Sequence, residues 1–207
     1  MDYLLALENL QVSPNELITY YFYADDVGPD GESRRAYSDM FFAEVRPFEE
    51  IFRQVTPPSG EGEGQPSESQ RLVELQRQIV IGIWNLIRRE HRQSPSSKFP
   101  EDVQVLAESQ AKVLELTQEV AAELDDLLMK QHADEAIGAM TEAVEAFTEV
   151  VRSNLLSDLP QPQGHAQNAY RALLKLQSRE KQVMNQQQSK GKGSPGAQQK
   201  LDQQLQQ

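Results

Sequence analysis

"VQVLAESQAKVLELTQEVAAELDDL", residues 103–127, decides the architecture of this chain. Val103, Leu106, Gln110, Val113, Thr117, Val120, Leu124 and Leu127 recur at alternating steps of three and four, the a/d pattern by which one helix lays an apolar seam against another. Ala107, Leu114, Ala121 and Leu128 add a second heptad stripe beside the first. Gln110 and Thr117 stand at a-type positions, where a polar group fixes register at a cost in stability. A face this wide belongs in a bundle.

The flanking segments carry the same period. From about Glu68 to Arg92, Leu72, Leu75, Ile79, Ile83 and Leu86 form one stripe, with Val80, Trp84 and Ile87 beside it. "HRQSPSSKFPED" (91–102) breaks the helix, and Pro100 suits the first turn of the next. A third segment, about Asp134 to Leu156, uses Ile137, Met140, Val144, Phe147 and Val151, with Ala136, Ala139, Ala143 and Ala146 permitting close approach. The break before it is expected near His132; one long kinked helix is the alternative. Helices joined by a junction so short pack as an antiparallel pair. "LSDLPQPQG" (156–164) ends the third helix, and a fourth from His165 uses Ala166, Ala169, Leu173, Leu176 and Val183.

The N-terminal part reads differently. In "ITYYFYADDVGPDGESRRAYSDMFFAEVRPF" (18–48), strand formers fill Ile18–Ala24 and Tyr37–Val45 around an acidic turn in which Gly31 can take a positive φ. Ile18, Tyr20, Phe22 and Ala24 share one face, and Thr19, Tyr21 and Tyr23 the other. On the return strand Met40 and Phe42 oppose Asp39, Phe41, Ala43 and Val45. A hairpin alone cannot hide these aromatics, so Leu17, Tyr20, Phe22, Met40 and Phe42 are expected to meet "YLLALENL" (3–10) or the helices. The chain thus divides into a partial β-sandwich or β-hairpin unit (1–55), a Pro/Gly/Ser/Glu linker (56–69), a helical bundle (70–185) and a Gln-rich tail (186–207) expected to be disordered. The fold class is mainly α: an antiparallel, coiled-coil-like helical bundle preceded by a small antiparallel β-hairpin unit.

Charge excludes several functions. With 32 acidic against 20 basic residues the chain carries a net charge of -12, which disfavours nucleic acid and anionic membranes. There is no cysteine for a disulfide, thiolate or Cys-held metal. No apolar run approaches the roughly 18 residues a membrane span needs, so direct membrane insertion by this segment is not expected. From Glu101 to Glu149 only Lys112 and Lys130 oppose the acids, whereas Arg171 to Lys200 is basic. The acidic helices are either ordinary solvated faces or the dock for the basic fourth helix.

No constellation points to catalysis, and no cofactor is expected. Asp25, Asp26, Asp30 and Glu32 resemble part of a calcium loop, but Gly28 stands at the third position and Tyr37 where the bidentate Glu belongs. A solvent-exposed acidic turn is the simpler reading. His91, His132 and His165 lie near helix ends without metal-ligand spacing, Trp84 reads as core, and Asp125 and Asp126, being adjacent, form no acid/base pair.

The phrases "YYFYADD" (20–26) and "FAEVRPF" (42–48), followed by "QIVIGIWNLIRRE" (78–90), "NAYRALLKLQSREKQV" (168–183) and a Gln-rich tract, resemble large bacterial proteins akin to the domain of unknown function 4175 family. The resemblance implies membrane-anchored proteins with β-sandwich repeats before helical, Gln-rich segments. It also implies a cell-envelope location, a structural role and no catalytic residues. On that reading the chain is a fragment of something longer. The resulting expectation is a non-enzymatic scaffold binding protein partners, by self-association or to the rest of a longer polypeptide. Its contacts are expected through Leu72, Trp84, Val103, Leu106, Val113, Leu124 and Leu127, with Arg171, Lys175 and Arg179 assisting. The alternatives are a calcium-dependent adhesion module on the Asp-rich loop, or an accessory subunit of an enzyme.

Overall fold

The computed structural model describes residues 10, 12–13, 16–29, 31–45, 67–91 and 95–191, with side chains to Met184. Most of residues 1–15, the segment 46–66 and the tail beyond 191 lie outside the described residues, and so do the expectations that fall on them. Among the described residues the chain forms β1 (Leu17–Tyr20), β2 (Tyr23–Val27), β3 (Ser33–Tyr37) and β4 (Phe41–Glu44). Four helices follow: α1 (Glu68–Glu90), α2 (Phe99–Glu123), α3 (Leu127–Ser153) and α4 (Pro160–Gly191). The protein is mainly helical, with a small antiparallel hairpin unit at its N-terminal side.

Each helix starts where local chemistry satisfies its free N–H groups. Ser67 caps α1 in a reciprocal box with Gln70, so the helix begins at Glu68, where its periodicity starts, and residues 68 and 69, counted in the linker as well, belong to the helix. Asp126 caps α3 by accepting from the Met129 N–H at 3.0 Å. This moves the expected break from His132 to Leu124–Asp126, with Leu124 already extended. "PQPQG" is not a breaker but the first turn of α4, because Pro160 supplies the helical φ where no N–H is needed. Asn154, left-handed at φ 53°, and a 3-10 turn (Leu156–Asp158) separate it from α3. At the other end the backbone stays helical to Gly191, so residues 186–191 extend α4 rather than begin a tail.

The short connections make the helices run up and down in turn, α1 packing on α2 and α4, and α3 on α2 and α4. The antiparallel order shows in the side-chain pairs. Gln76 meets Gln110, Thr117 meets Met140, Ser67 meets Glu180, and Asp126 meets Arg179. Ile83, Phe99, Met140, Phe147, Leu173 and Leu176 are fully buried between them. Alanines 133, 136 and 143 of α3 and 166 and 169 of α4 are also fully buried, which lets those two backbones approach. α4 carries a full share of this core, including Tyr170 and Ala172, and Leu159 just before it is also fully buried.

The hairpin is one ribbon interrupted once. β1 pairs with β4 in the register Tyr20↔Phe41, while β2 pairs with β3 in the register Tyr23↔Tyr37, one residue out of step. Phe22 still pairs with Ser38, whose N–H donates to the Phe22 carbonyl at 2.9 Å, so Tyr21 stands opposite both Asp39 and Met40. This is a β-bulge. In a regular strand Tyr37 and Met40 would point to opposite faces; the bulge turns both to the bundle. Tyr37 lies edge-on to Trp84 and His91, and Leu17, Met40 and Phe42 pack against the core. Tyr20 and Phe22, expected to be covered with them, face outward and are 39% and 59% exposed. At the tip, Gly31 takes φ 81° as the turn requires.

Candidate functional site

Most of the residues expected to meet a partner are consumed by the bundle. Leu72, Val103 and Val113 are core, and Leu106 and Leu124 are half-buried against it. Trp84 is 6% exposed and holds the hairpin down: its Nε1 donates to the Ser38 carbonyl at 3.0 Å, and its ring lies 4.4 Å from Tyr21. Arg88 adds a contact to Asp39 at 2.5 Å, and the Tyr37 hydroxyl lies 3.2 Å from His91 Nε2. Leu127 alone of the set is open to solvent, at 80%, because the new break places it in the first turn of α3 and outside the seam.

The acidic turn is occupied by its own arginines. Arg35 grips Asp25 with two bonds of 2.7 and 2.9 Å, which holds that carboxyl below the usual range, and its guanidinium lies 4.1 Å from the Tyr23 ring centre. Arg34 is opposite Asp26, and its guanidinium lies against Gly28, in the space a Cβ there would need. A calcium ion would have to displace both cations. Glu32 is exposed, and Asp30 falls outside the described residues. No group of three metal-ligating side chains comes together among the described residues.

The buried polar groups serve the fold. Gln76 and Gln110, both fully buried, exchange amide bonds of 3.0 Å each way, and Gln76 also donates to the Ala166 carbonyl at 3.1 Å. One pair thus sets α1 against α2 and ties both to α4. Thr117 donates to the Val113 carbonyl of its own helix and lies 3.5 Å from Met140 Sδ. The two a-type polar residues of α2 are therefore interior, as their positions suggested. Gln76 was missed because its neighbours Leu75 and Ile79 complete the α1 stripe without it. At the end of α1, burial raises the Glu90 carboxyl. The Ser96 N–H and hydroxyl and Arg89 outweigh that and hold it below its ordinary value.

Charge joins α4 to α3. Arg179 binds Asp126 through two bonds of 2.8 and 3.2 Å, and Lys175 lies 4.0 Å from Glu135. The Arg179 contact, helped by the Met129 N–H, lowers the Asp126 pKa to about 2. The basic helix therefore docks on acidic α3, with α1 on its other side rather than α2.

Two surfaces remain without an internal role. The first is the outer face of the hairpin. Tyr20 stacks on Phe41 at 5.5 Å, and Phe22 meets both edge-on at 6.0 and 6.1 Å. All three rings are 39% to 59% exposed. The second is a groove between the first turns of α1 and the last of α2. No helix is long and apolar enough to cross a membrane among the described residues. No protein-family model, curated protein or solved structure matches the chain.

Proposed function

We propose that this chain is a non-enzymatic protein-interaction module. The four-helix bundle is its rigid base, and the outer face of the hairpin is the surface that meets a partner protein. The observation that carries this reading is the Tyr20–Phe22–Phe41 cluster. Three mutually packed rings lie in the open although the same hairpin buries its other face on Trp84, Tyr170 and the core. Clustered exposed aromatics are costly in water and are enriched where one protein meets another. The partner that fits is a protein contributing a further β layer: a flat apolar face over the rings, with the edges of β1 and β4 that pair with no other strand among the described residues taking a further one. The cell-envelope setting rests on the family resemblance, and fractionation of the source cells tests it.

The experiment replaces Tyr20, Phe22 and Phe41 together by Thr, a strand former, and isolates the tagged chain from its source cells beside a control. The control carries Thr at Val105, Val151 and Leu155, which are equally exposed but on the bundle. A partner retained at full stoichiometry by the control and lost by the hairpin variant supports the reading. Equal retention by both overturns it.

A further inference from the structure

The groove between α1 and α2 is the second surface, and it has a shape of its own. One wall is Glu68, Arg71, Leu72 and Leu75; the other is Leu116, Glu119, Val120 and Glu123. Both follow the helical spacing of about i, i+3, i+4, i+7, so the walls run parallel for two turns, about 10 Å. The hollow between them is about 150 Å³. It continues, over the shared Glu68, Val120 and Glu123, into a second hollow of about 220 Å³ at the end of the bundle, floored by Leu124, Met129 and Leu176. Leu127, 80% exposed, and Leu128, 46% exposed, stand in the first turn of α3 at this same end.

The floor is apolar and the rim is anionic. Glu68, Glu119 and Glu123 stand against the single Arg71, and none of the three is in an ion pair among the described residues. The surrounding helices deepen the field: from Glu101 to Glu149 the chain has 13 acids and two lysines. A second copy of this chain suits the groove poorly. Each copy carries -12, and Lys175 and Arg179 are already held by Glu135 and Asp126. An extended peptide would not match walls with helical periodicity, whereas a helix lays its own ridge into such a groove.

We propose that the α1–α2 groove receives a cationic amphipathic helix of a partner protein. Its apolar side chains seat on the half-buried Leu75, Leu116 and Val120, and its flanking Lys or Arg side chains reach Glu68, Glu119 and Glu123. This site lies away from the hairpin rings and stands or falls independently of them.

The probe is an amidated 18-residue peptide of Leu and Lys only, with leucines at i, i+3, i+4 and i+7, carrying a fluorophore. It is titrated with the full chain at physiological salt and read by anisotropy. Glu119→Gln/Glu123→Gln is compared with Glu108→Gln/Glu145→Gln, which removes the same charge from exposed positions outside the groove. The expected result is saturable binding, weakened at least tenfold by the groove pair and less than twofold by the other, with no binding of a Leu/Glu counterpart peptide. Equal weakening by both pairs would show attraction to net charge alone and overturn the proposal, as would absence of binding. Dimerisation of the free chain abolished by Glu119→Gln/Glu123→Gln would also overturn it, in favour of a second copy.

Discussion

Replacing Gln76 by Ala separates two accounts of the bundle interior. If Gln76 and Gln110 merely fill space, the cost is that of a small cavity. If they are a satisfied polar pair, Gln76→Ala removes three hydrogen bonds and leaves the Gln110 amide oxygen and nitrogen buried without a partner. At about 1–3 kcal/mol for each unsatisfied buried group, the expected destabilisation is about 2–6 kcal/mol. The double change Gln76→Leu/Gln110→Leu strands nothing and replaces both amides with apolar groups of similar volume. Its expected cost is within about 1 kcal/mol of zero, of either sign. Urea unfolding followed by far-UV circular dichroism measures all the variants, with Gln110→Ala completing the set. A double variant that costs the sum of two single losses would refute the reasoning, and so would a Gln76→Ala that costs nothing.

Three further outcomes are expected. Asp126→Asn keeps the cap oxygen but removes the charge paired with Arg179. Because the folded pKa of Asp126 is lowered to about 2, the stability it adds is present above about pH 4 and lost as pH falls through about 2. The variant is therefore less stable at neutral pH and shows a flatter loss between pH 4 and 2, read from acid titrations of the unfolding midpoint. Gly138→Ala, in mid-α3 with open space around the added methyl, is expected to stabilise the bundle by about 0.5–1 kcal/mol in the same urea assay. Trp84→Phe removes the bond to the Ser38 carbonyl, worth about 1 kcal/mol. Hydrogen exchange should then quicken in β1–β4 well before it does in α2 and α3.

The bundle was legible because its signal is periodic: Val103, Val113, Gln110 and Thr117 are interior, as the a/d spacing of α2 required. The ends of the helices were not. The stripe of α2 runs on through Leu124 to Leu127, and only the Asp126 side chain, turned back on the Met129 N–H, stops it. Pro160 and Pro162 carry the residue type of a helix breaker in the one place, the first turn, where it does no harm. On the first strand the alternation set Tyr20 and Phe22 apart from Tyr21 and Tyr23 as the structure does, but on the return strand a bulge at Asp39–Met40 with no local signature breaks it, so that Asp39 meets Arg88 while Phe41 faces outward. Non-local packing also decided the candidate site. Leu72, Trp84 and Val113 have the residue types of a partner surface, and only the folded molecule shows Leu72 and Val113 consumed by the bundle core and Trp84 by the hairpin.

The central claim is that the outward rings of the hairpin meet another protein. A photo-crosslinking amino acid placed at Phe22, and separately at Glu108 on the exposed face of α2, tests it inside the source cells. The account predicts one discrete adduct at position 22 that disappears when Tyr20 and Phe41 are also changed to Thr, and none at position 108. The same adducts at both positions, or none at position 22, would contradict it.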